Sequence, residues 1–415
     1  MRNIYLIELE NSRADCYSLS ILLETGGYMA KTPYKVPFNR SCIIGSELEY
    51  IESAIQRNHL SGDGYFTRKC EDFFQKEFEA EKVLLTTSCT DALEMTSLLL
   101  DIKPGDEVIV PSFTFVSTVN AYVLRGARAV FVDIDPETLC MNIEQVKKKI
   151  TKRTRVIVPV HYAGNYTDMA ELLSVAKENN IKVVEDNAHG IFAEYRGRKL
   201  GTFGSMSTLS FHETKNISCG EGGALVVNDP VYAERAEIIR EKGTNRKKFF
   251  RGEIRKYEWV DLGSSFLPSE LCAAYLWGQL ENKDLIQKKR KSIWNRYYRE
   301  LAGWCESYNV QRPLEVLDDF TPSWHMFYLI FPDRERLVGF KRHMEDHGIQ
   351  VATHYEPLHS SPYAGQSVDI DNSSLPVTER VSQTLVRMPF YYNISEEEQR
   401  FVIETTKKYT KKSLS

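Results

Sequence analysis

From residue 83 onward the chain alternates short apolar runs of β type with stretches of helical periodicity, and few folds accommodate that order. Residues 83–86, 107–111, 129–132, 155–160, 182–185, 207–211 and 224–227 read as strands. Helical stretches fall at 91–100, 114–125, 142–150 and 168–178. Short strands apolar on both faces, separated by helices, form a mostly parallel sheet covered on both sides. Upstream, 47–57 and 67–78 read as amphipathic helices, the second with aromatics at 73, 74 and 78 on one face. Downstream, a Pro- and Asp-rich stretch at 312–322 interrupts the pattern. Beyond it, a run at 327–331, a helix near 335–347 and a run at 350–354 indicate a small α+β part. The expected organisation is an N-terminal extension over 1–35 that need not be native, a large α/β domain over 36–310, and a small C-terminal domain over 311–415.

Composition excludes several classes. With 415 residues, 42% hydrophobic and 27% charged, the chain can bury a sizeable core and is neither disordered nor fibrous. Lys and Arg number 53 against 57 Asp and Glu, a net charge of −4, so there is no global basic footprint for nucleic acid. No apolar stretch approaches the ~20 residues of a membrane-spanning helix. The eight cysteines form no C-x-x-C pair, which suits reduced thiols in a cytoplasmic protein. No metal site is expected: His343 and His347 stand four apart on a helix, but no third ligand accompanies them. Neither G-x-G-x-x-G after a strand nor G-x-x-x-x-G-K-[ST] occurs.

Three segments can carry chemistry. Thr86-Thr87-Ser88-Cys89-Thr90-Asp91-Ala92-Leu93 takes the chain from a strand, through small hydroxyl residues, into a helix. The free N–H groups of a helix start, with hydroxyls beside them, bind anions. Alone, the segment reads equally as an N-cap without a ligand. Val183-Val184-Glu185-Asp186-Asn187-Ala188-His189 ends a buried strand on two acids, where an open α/β sheet places its ligand crevice. A carboxylate there can hold a ring nitrogen protonated, or merely cap a turn. Ser210-Phe211-His212-Glu213-Thr214-Lys215-Asn216 sets a lysine beyond a strand, before Gly220-Glu221-Gly222-Gly223. A buried lysine amine has a lowered pKa and forms Schiff bases; an exposed one is a solvated loop residue.

In this order and spacing the segments resemble the DegT/DnrJ/EryC1 family of sugar aminotransferases. These are pyridoxal-phosphate enzymes of the aspartate aminotransferase (type I) fold, with a large domain built on a mostly parallel central sheet and a smaller α+β C-terminal domain. Leu60-Ser61-Gly62-Asp63-Gly64, Pro111 to Thr118 and Val158 to Gly164 share the likeness. Two further segments, Ser210 to Asn216 and Glu241-Lys242-Gly243-Thr244-Asn245-Arg246 with Phe249-Phe250-Arg251-Gly252, resemble the subgroup that makes dTDP-4-amino-4,6-dideoxygalactose for surface polysaccharide, as in enterobacterial common antigen.

By position, the resemblance implies that Lys215 is the Schiff-base lysine and the proton carrier. It implies Asp186 as partner of the pyridine nitrogen, His189 facing the ring oxygen, and Phe115 stacked on the ring. Cys89, Thr90 and Ser210 would hold the phosphate, and Ser265 would reach the phosphate of a second subunit in a homodimer with a shared active site. Family members often carry Asn and Arg where this chain has Ser265 and Leu267. Arg251, His325, His354 and His359 are the candidates for the nucleotide sugar. The implied reaction moves the amino group of L-glutamate to carbon 4 of dTDP-4-keto-6-deoxy-D-glucose, leaving 2-oxoglutarate. Alternatives are another nucleotide-linked keto sugar, aminated at carbon 3 or with the opposite configuration at carbon 4, and a non-catalytic pyridoxal-phosphate-binding protein. A related sugar dehydratase carries His at the lysine position, whereas Lys215 is present here.

Overall fold

The computed structural model describes residues 34–366 and 373–410. All but the last two residues of the expected extension, and Cys16, lie outside the described residues. The strands are β1 (Lys82–Thr86), β2 (Glu107–Pro111), β3 (Arg128–Val132), β4 (Thr154–Ile157), β5 (Lys182–Asp186), β6 (Glu194–Tyr195), β7 (Arg198–Lys199), β8 (Met206–Ser210), β9 (Gly223–Val227), β10 (Phe320–Thr321), β11 (Tyr328–Ile330), β12 (Ala352–Thr353) and β13 (Leu385–Arg387).

The seven apolar runs form one seven-stranded sheet in the order β1-β9-β8-β5-β4-β2-β3. The pairs β2–β3, β2–β4, β4–β5 and β5–β8 are parallel. Strand β9 alone runs against both its neighbours, β1 and β8. The twelve residues between Ser210 and Gly223 form turns and bends and hold no helix of the kind that usually carries a parallel crossover, so the chain returns antiparallel. Gly223 opens β9 opposite Thr86, and a Cβ there would collide with the backbone of Ser88 and Cys89. Glycine at this point lets β9 lie against the start of the helix that follows β1.

Buried side chains line both faces of the sheet. Val108, Val110, Val156, Val158 and Val184 belong to one cluster with the helix Cys89–Leu99. Ile109, Ile157 and Val183 belong to another with the helix Met169–Glu178. Alternate residues of one strand therefore enter opposite layers, as a pleat requires.

The C-terminal part is built on a small antiparallel sheet, β11-β13-β12. Its core holds Phe327, Leu329, Phe340, Val386 and Val402, together with Ile293, Trp294 and Tyr297 of the helix Lys283–Glu300. Val36 joins the same cluster and bridges Ile349, so the described chain starts on the C-terminal layer. His343 and His347 form no metal cluster; their ring nitrogens bond to the carbonyls of Thr405 and His343 respectively.

One long-range contact organises the segment before β1. Glu270 is 2% exposed, and its carboxylate accepts from the backbone of Gly64, Phe66 and Thr67 at 2.8–3.0 Å and from the Thr67 hydroxyl. The helix Tyr65–Phe78 starts on Gly64, which has no side chain to cap it, so Glu270 caps it from two hundred residues away. Glu270→Ala should lower unfolding free energy by about 3 kcal/mol, since several buried donors lose their acceptor together. Glu270→Gln, which keeps one acceptor oxygen, should cost less. Urea denaturation of the three proteins measures the order.

Candidate active site

A cavity of about 630 Å³ opens at the C-terminal ends of the parallel strands, where open α/β sheets bind ligands. Its floor carries three chemically distinct ends.

The first end has donors that suit an anion. The helix Cys89–Leu99 begins there, with Ser88 as N-cap accepting from Asp91 N–H. Cap and ligand site thus coexist: the Ser88 oxygen serves a later turn, while Cys89 and Thr90 line the cavity beside Ser117 and Ser210. The Thr90 and Ser117 hydroxyls bond at 2.8 Å. Burial pushes the Cys89 thiol up to about 12, so it stays neutral and does not repel an anion.

The second end is Asp186. Successive residues of β5 point to opposite faces, and its two acids have separate tasks. Glu185 faces away and accepts from Gly201, Phe203 and Gly204 N–H and pairs with His161, all at 2.7–2.8 Å. Asp186 faces the cavity. Thr118 Oγ1 donates to Asp186 Oδ2 at 2.7 Å, and Ala188 N–H donates to Oδ1 at 3.1 Å. Because the Thr118 proton goes to Asp186, the contact of 2.8 Å to Thr114 makes Thr114 its donor.

The third end is Lys215, next to the histidines. Burial lowers the Lys215 amine to about 8, against the opposing pull of Cys89 and Asp186 and with the help of Arg387. Burial, then the Lys215 charge, holds His189 and His325 well below the ordinary histidine range. Burial with Arg387 lowers His354 to about 2. All three rings are therefore neutral. The rings of His189 and His325 stack at 4.3 Å, and His354 stacks on Tyr355 at 3.7 Å. Ala163 N–H donates to His189 Nδ1 at 3.3 Å, which leaves the ring proton on Nε2.

Nine of the residues singled out from sequence meet at this cavity: Cys89, Thr90, Phe115, Asp186, His189, Ser210, Lys215, His325 and His354. Phe115 is 58% exposed, so a ring face is open to a partner. Three do not meet there. His359 is buried elsewhere, bonded to Ser112 at 2.7 Å and to Glu379 at 3.2 Å. Arg251 and Ser265 line a second cavity of about 780 Å³. The Arg251 guanidinium is already paired with Glu237 at 2.8 Å and Glu253 at 2.6 Å, so it has no free fork for a diphosphate in this chain. Sequence reasoning missed Arg387, Tyr355, Thr118 and Asn216. Thr118 lay inside a quoted motif; Arg387 and Tyr355 come from the C-terminal layer, where no motif marks them.

The matched region of the DegT/DnrJ/EryC1/StrS aminotransferase family model spans residues 41–407. The chain belongs to this family. GDP-perosamine synthase of Escherichia coli O157:H7 is 28% identical, over 90% of this chain and 98% of that protein. The aminotransferase TlmJ of Streptoalloteichus hindustanus superposes with a TM-score of 0.81 at 27% identity, over 91% of this chain and 97% of that one. The putative sugar aminotransferase Spr1654 of Streptococcus pneumoniae, in its PLP form, superposes at 0.83 with 24% identity, over 92% and 100% of the two chains. The chain is a sugar aminotransferase of the type I fold, and its cofactor is pyridoxal 5′-phosphate.

The residues fit that cofactor. Helix-start N–H groups and hydroxyls at one end suit its phosphate. Asp186 suits its ring nitrogen, the Nε2 proton of His189 its ring oxygen, and Lys215 its aldehyde carbon. No helix among the described residues is long and apolar enough to cross a membrane.

The lowered Lys215 pKa has a measurable consequence. Its amine becomes neutral, hence nucleophilic, as pH rises through about 8 rather than through the ordinary lysine range. Capture of pyridoxal phosphate by cofactor-free protein should therefore accelerate from pH 7 to 9 and level off above it. A rate still climbing steeply at pH 10 would assign Lys215 an unshifted pKa.

Proposed function

We propose that the protein transfers the amino group of L-glutamate to carbon 4 of dTDP-4-keto-6-deoxy-D-glucose, giving dTDP-4-amino-4,6-dideoxy-D-galactose. The observation that carries the chemistry is the readily deprotonated Lys215 lining one cavity with Asp186. The sugar assignment rests on the likeness of the 210–216 and 241–252 segments to the dTDP subgroup. A GDP-linked 4-keto-6-deoxy sugar is the second reading, favoured by the likeness to GDP-perosamine synthase.

Each cavity residue then has a task. Cys89 and Thr90 N–H groups with the Ser210 hydroxyl anchor the phosphate. Asp186 holds the ring nitrogen protonated, and Phe115 covers the ring. Bound in this way, pyridoxal phosphate supplies an electron sink for the carbon that loses a proton. Lys215 takes the proton from the α-carbon of glutamate and later delivers one to carbon 4 of the sugar. The face it reaches sets the configuration of the product. Arg387 has no carboxylate partner among the described residues, and its fork is the cation left to receive a glutamate carboxylate.

We also propose a homodimer in which Ser265 serves the phosphate of the second copy. Phe250, Trp259, Val260 and Leu262 are exposed near the second cavity, Trp259 at 78%, and such a patch is what a second copy covers.

One incubation tests the reading. Protein, pyridoxal phosphate and L-glutamate are supplied with the dTDP sugar or with GDP-4-keto-6-deoxy-D-mannose, and proton NMR identifies the product. An axial amine at carbon 4 of the dTDP sugar is expected. Turnover of the GDP sugar alone would install the second reading. Lys215→Ala should abolish turnover with either sugar, and any variant that retains it removes Lys215 from the chemistry. Sedimentation should show twice the chain mass.

A further inference from the structure

We infer that His325 presents an unprotonated Nε2 to the cavity, where it accepts a hydrogen bond from the hydroxyl flanking the substrate carbonyl, and that Asn216 fixes this tautomer. The inference rests on the keto-sugar reading above and names one contact within it.

The argument starts from Asn216, the residue after Lys215. Asn216 Nδ2 lies 2.6 Å from the Ser323 carbonyl and 3.2 Å from Gln287 Oε1. Carbonyl oxygens only accept, so the amide NH₂ must face them. Asn216 Oδ1 therefore faces His325 Nδ1, at 2.9 Å. An amide oxygen also only accepts, so His325 Nδ1 carries the proton. The ring is neutral: burial and the surrounding charges of Lys215, Arg290 and Arg387, with His354 beside them, all oppose a second proton. One proton on Nδ1 leaves Nε2 bare. Among the described residues Nε2 has no hydrogen-bond partner, and the ring lines the cavity.

The ring is also held in place. Arg290, buried and without a carboxylate partner among the described residues, donates to the carbonyls of Trp324 at 3.0 Å and His325 at 2.5 Å. Trp324 is held at φ 57°, a left-handed conformation costly for a large side chain. Ser323 Oγ donates to the His189 carbonyl, and the His189 ring stacks on His325. A strained segment fixed by Asn216, Arg290 and His189 is a positioning device. Of the two stacked rings, His189 offers a proton and His325 a lone pair.

A weakly basic, fixed acceptor orients a donor rather than removing its proton. The keto sugar supplies one: in a 4-keto-6-deoxy pyranose the only hydroxyl flanking the carbonyl is on carbon 3, because carbon 5 carries the ring oxygen and the methyl group. L-Glutamate has no hydroxyl, so the contact belongs to the sugar half-reaction alone.

Stopped-flow absorbance separates the halves. Conversion by L-glutamate should be unchanged in His325→Leu. The sugar half-reaction, with whichever of the two nucleotide sugars the wild type uses, should fall between about fivefold and a hundredfold in kcat/KM. His325→Gln, whose amide oxygen reaches the Nε2 position, should recover part of that loss. The 3-deoxy sugar should be slow with wild type and no slower with His325→Leu. Asn216→Leu should match His325→Leu in the sugar half only. Equal losses in both halves, or a 3-deoxy sugar that still distinguishes wild type from His325→Leu, would overturn the inference while leaving the transaminase reading intact. Failure of wild type on both sugars would remove the reading and the hydroxyl contact together. Nitrogen-15 NMR of histidine-labelled protein, assigned by the signal absent in His325→Gln, reads the tautomer without substrate. A protonated Nε2 there would overturn the role given to Asn216.

Discussion

Glu185 is fully buried, and its two oxygens take three backbone N–H groups and the His161 ring. A carboxylate in such a place is tolerable only when every lone pair is used. The donors come from the 201–204 turn before β8 and from His161 beyond β4, so one side chain ties the C-terminal ends of β4 and β5 to the turn that leads into β8. Asp186 follows on the opposite face of the same strand and inherits that rigidity. The C-terminal ends of β4 and β5 and the start of β8 are held as a unit, and Asp186 enters the cavity from it. Glu270 does the same for the helix before β1. In both cases a buried acid is satisfied by backbone donors remote in sequence.

The cavity itself is arranged in the reverse sense. Lys215, Arg387 and four histidines, His189, His212, His325 and His354, line it, against Asp186 and the exposed-side Glu221. Burial and mutual repulsion lower Lys215, Arg387 and the rings of His189, His325 and His354 together. A phosphate-bearing ligand relieves this: its negative charge offsets those of Lys215 and Arg387 in a medium where charges are weakly screened. The site is thus complementary to an anion before any particular sugar is considered.

Much of this was legible in the sequence, for identifiable reasons. Strand–helix alternation is a local signal and the mostly parallel sheet follows from it. Lys215, Asp186 and Thr90 stand at strand ends, where chain order alone puts them at one edge. The direction of β9 was not marked by its own residues, which are as apolar as those of any parallel neighbour. Arg251 shows the limit of motif reasoning, because the availability of a guanidinium depends on Glu237 and Glu253, and spacing does not report that they pair with it. His359 is a substrate candidate only through its place in the C-terminal domain, and its ring points to Ser112 and Glu379. Asn216 read as part of a family string; its meaning as the partner of His325, 109 residues away, exists only in the fold.

The two layers of the molecule divide the work at the cavity. Cys89, Thr90, Phe115, Asp186, His189, Ser210 and Lys215 all belong to the layer of the large sheet, and in the reading proposed above they address the cofactor. His325, His354, Tyr355 and Arg387 come from the C-terminal layer and face the remaining space. A change of sugar therefore needs no change in the groups that run the proton transfers. It needs different side chains on short strand ends and turns such as 323–325 and 353–355, which carry few ladder hydrogen bonds and tolerate substitution better than the large sheet does. The join between the layers is then the sensitive point. Asn216 makes it, standing next to the lysine and bonding the Ser323 carbonyl and the His325 ring, so the residue that follows the reacting amine also holds the substrate-facing segment to it.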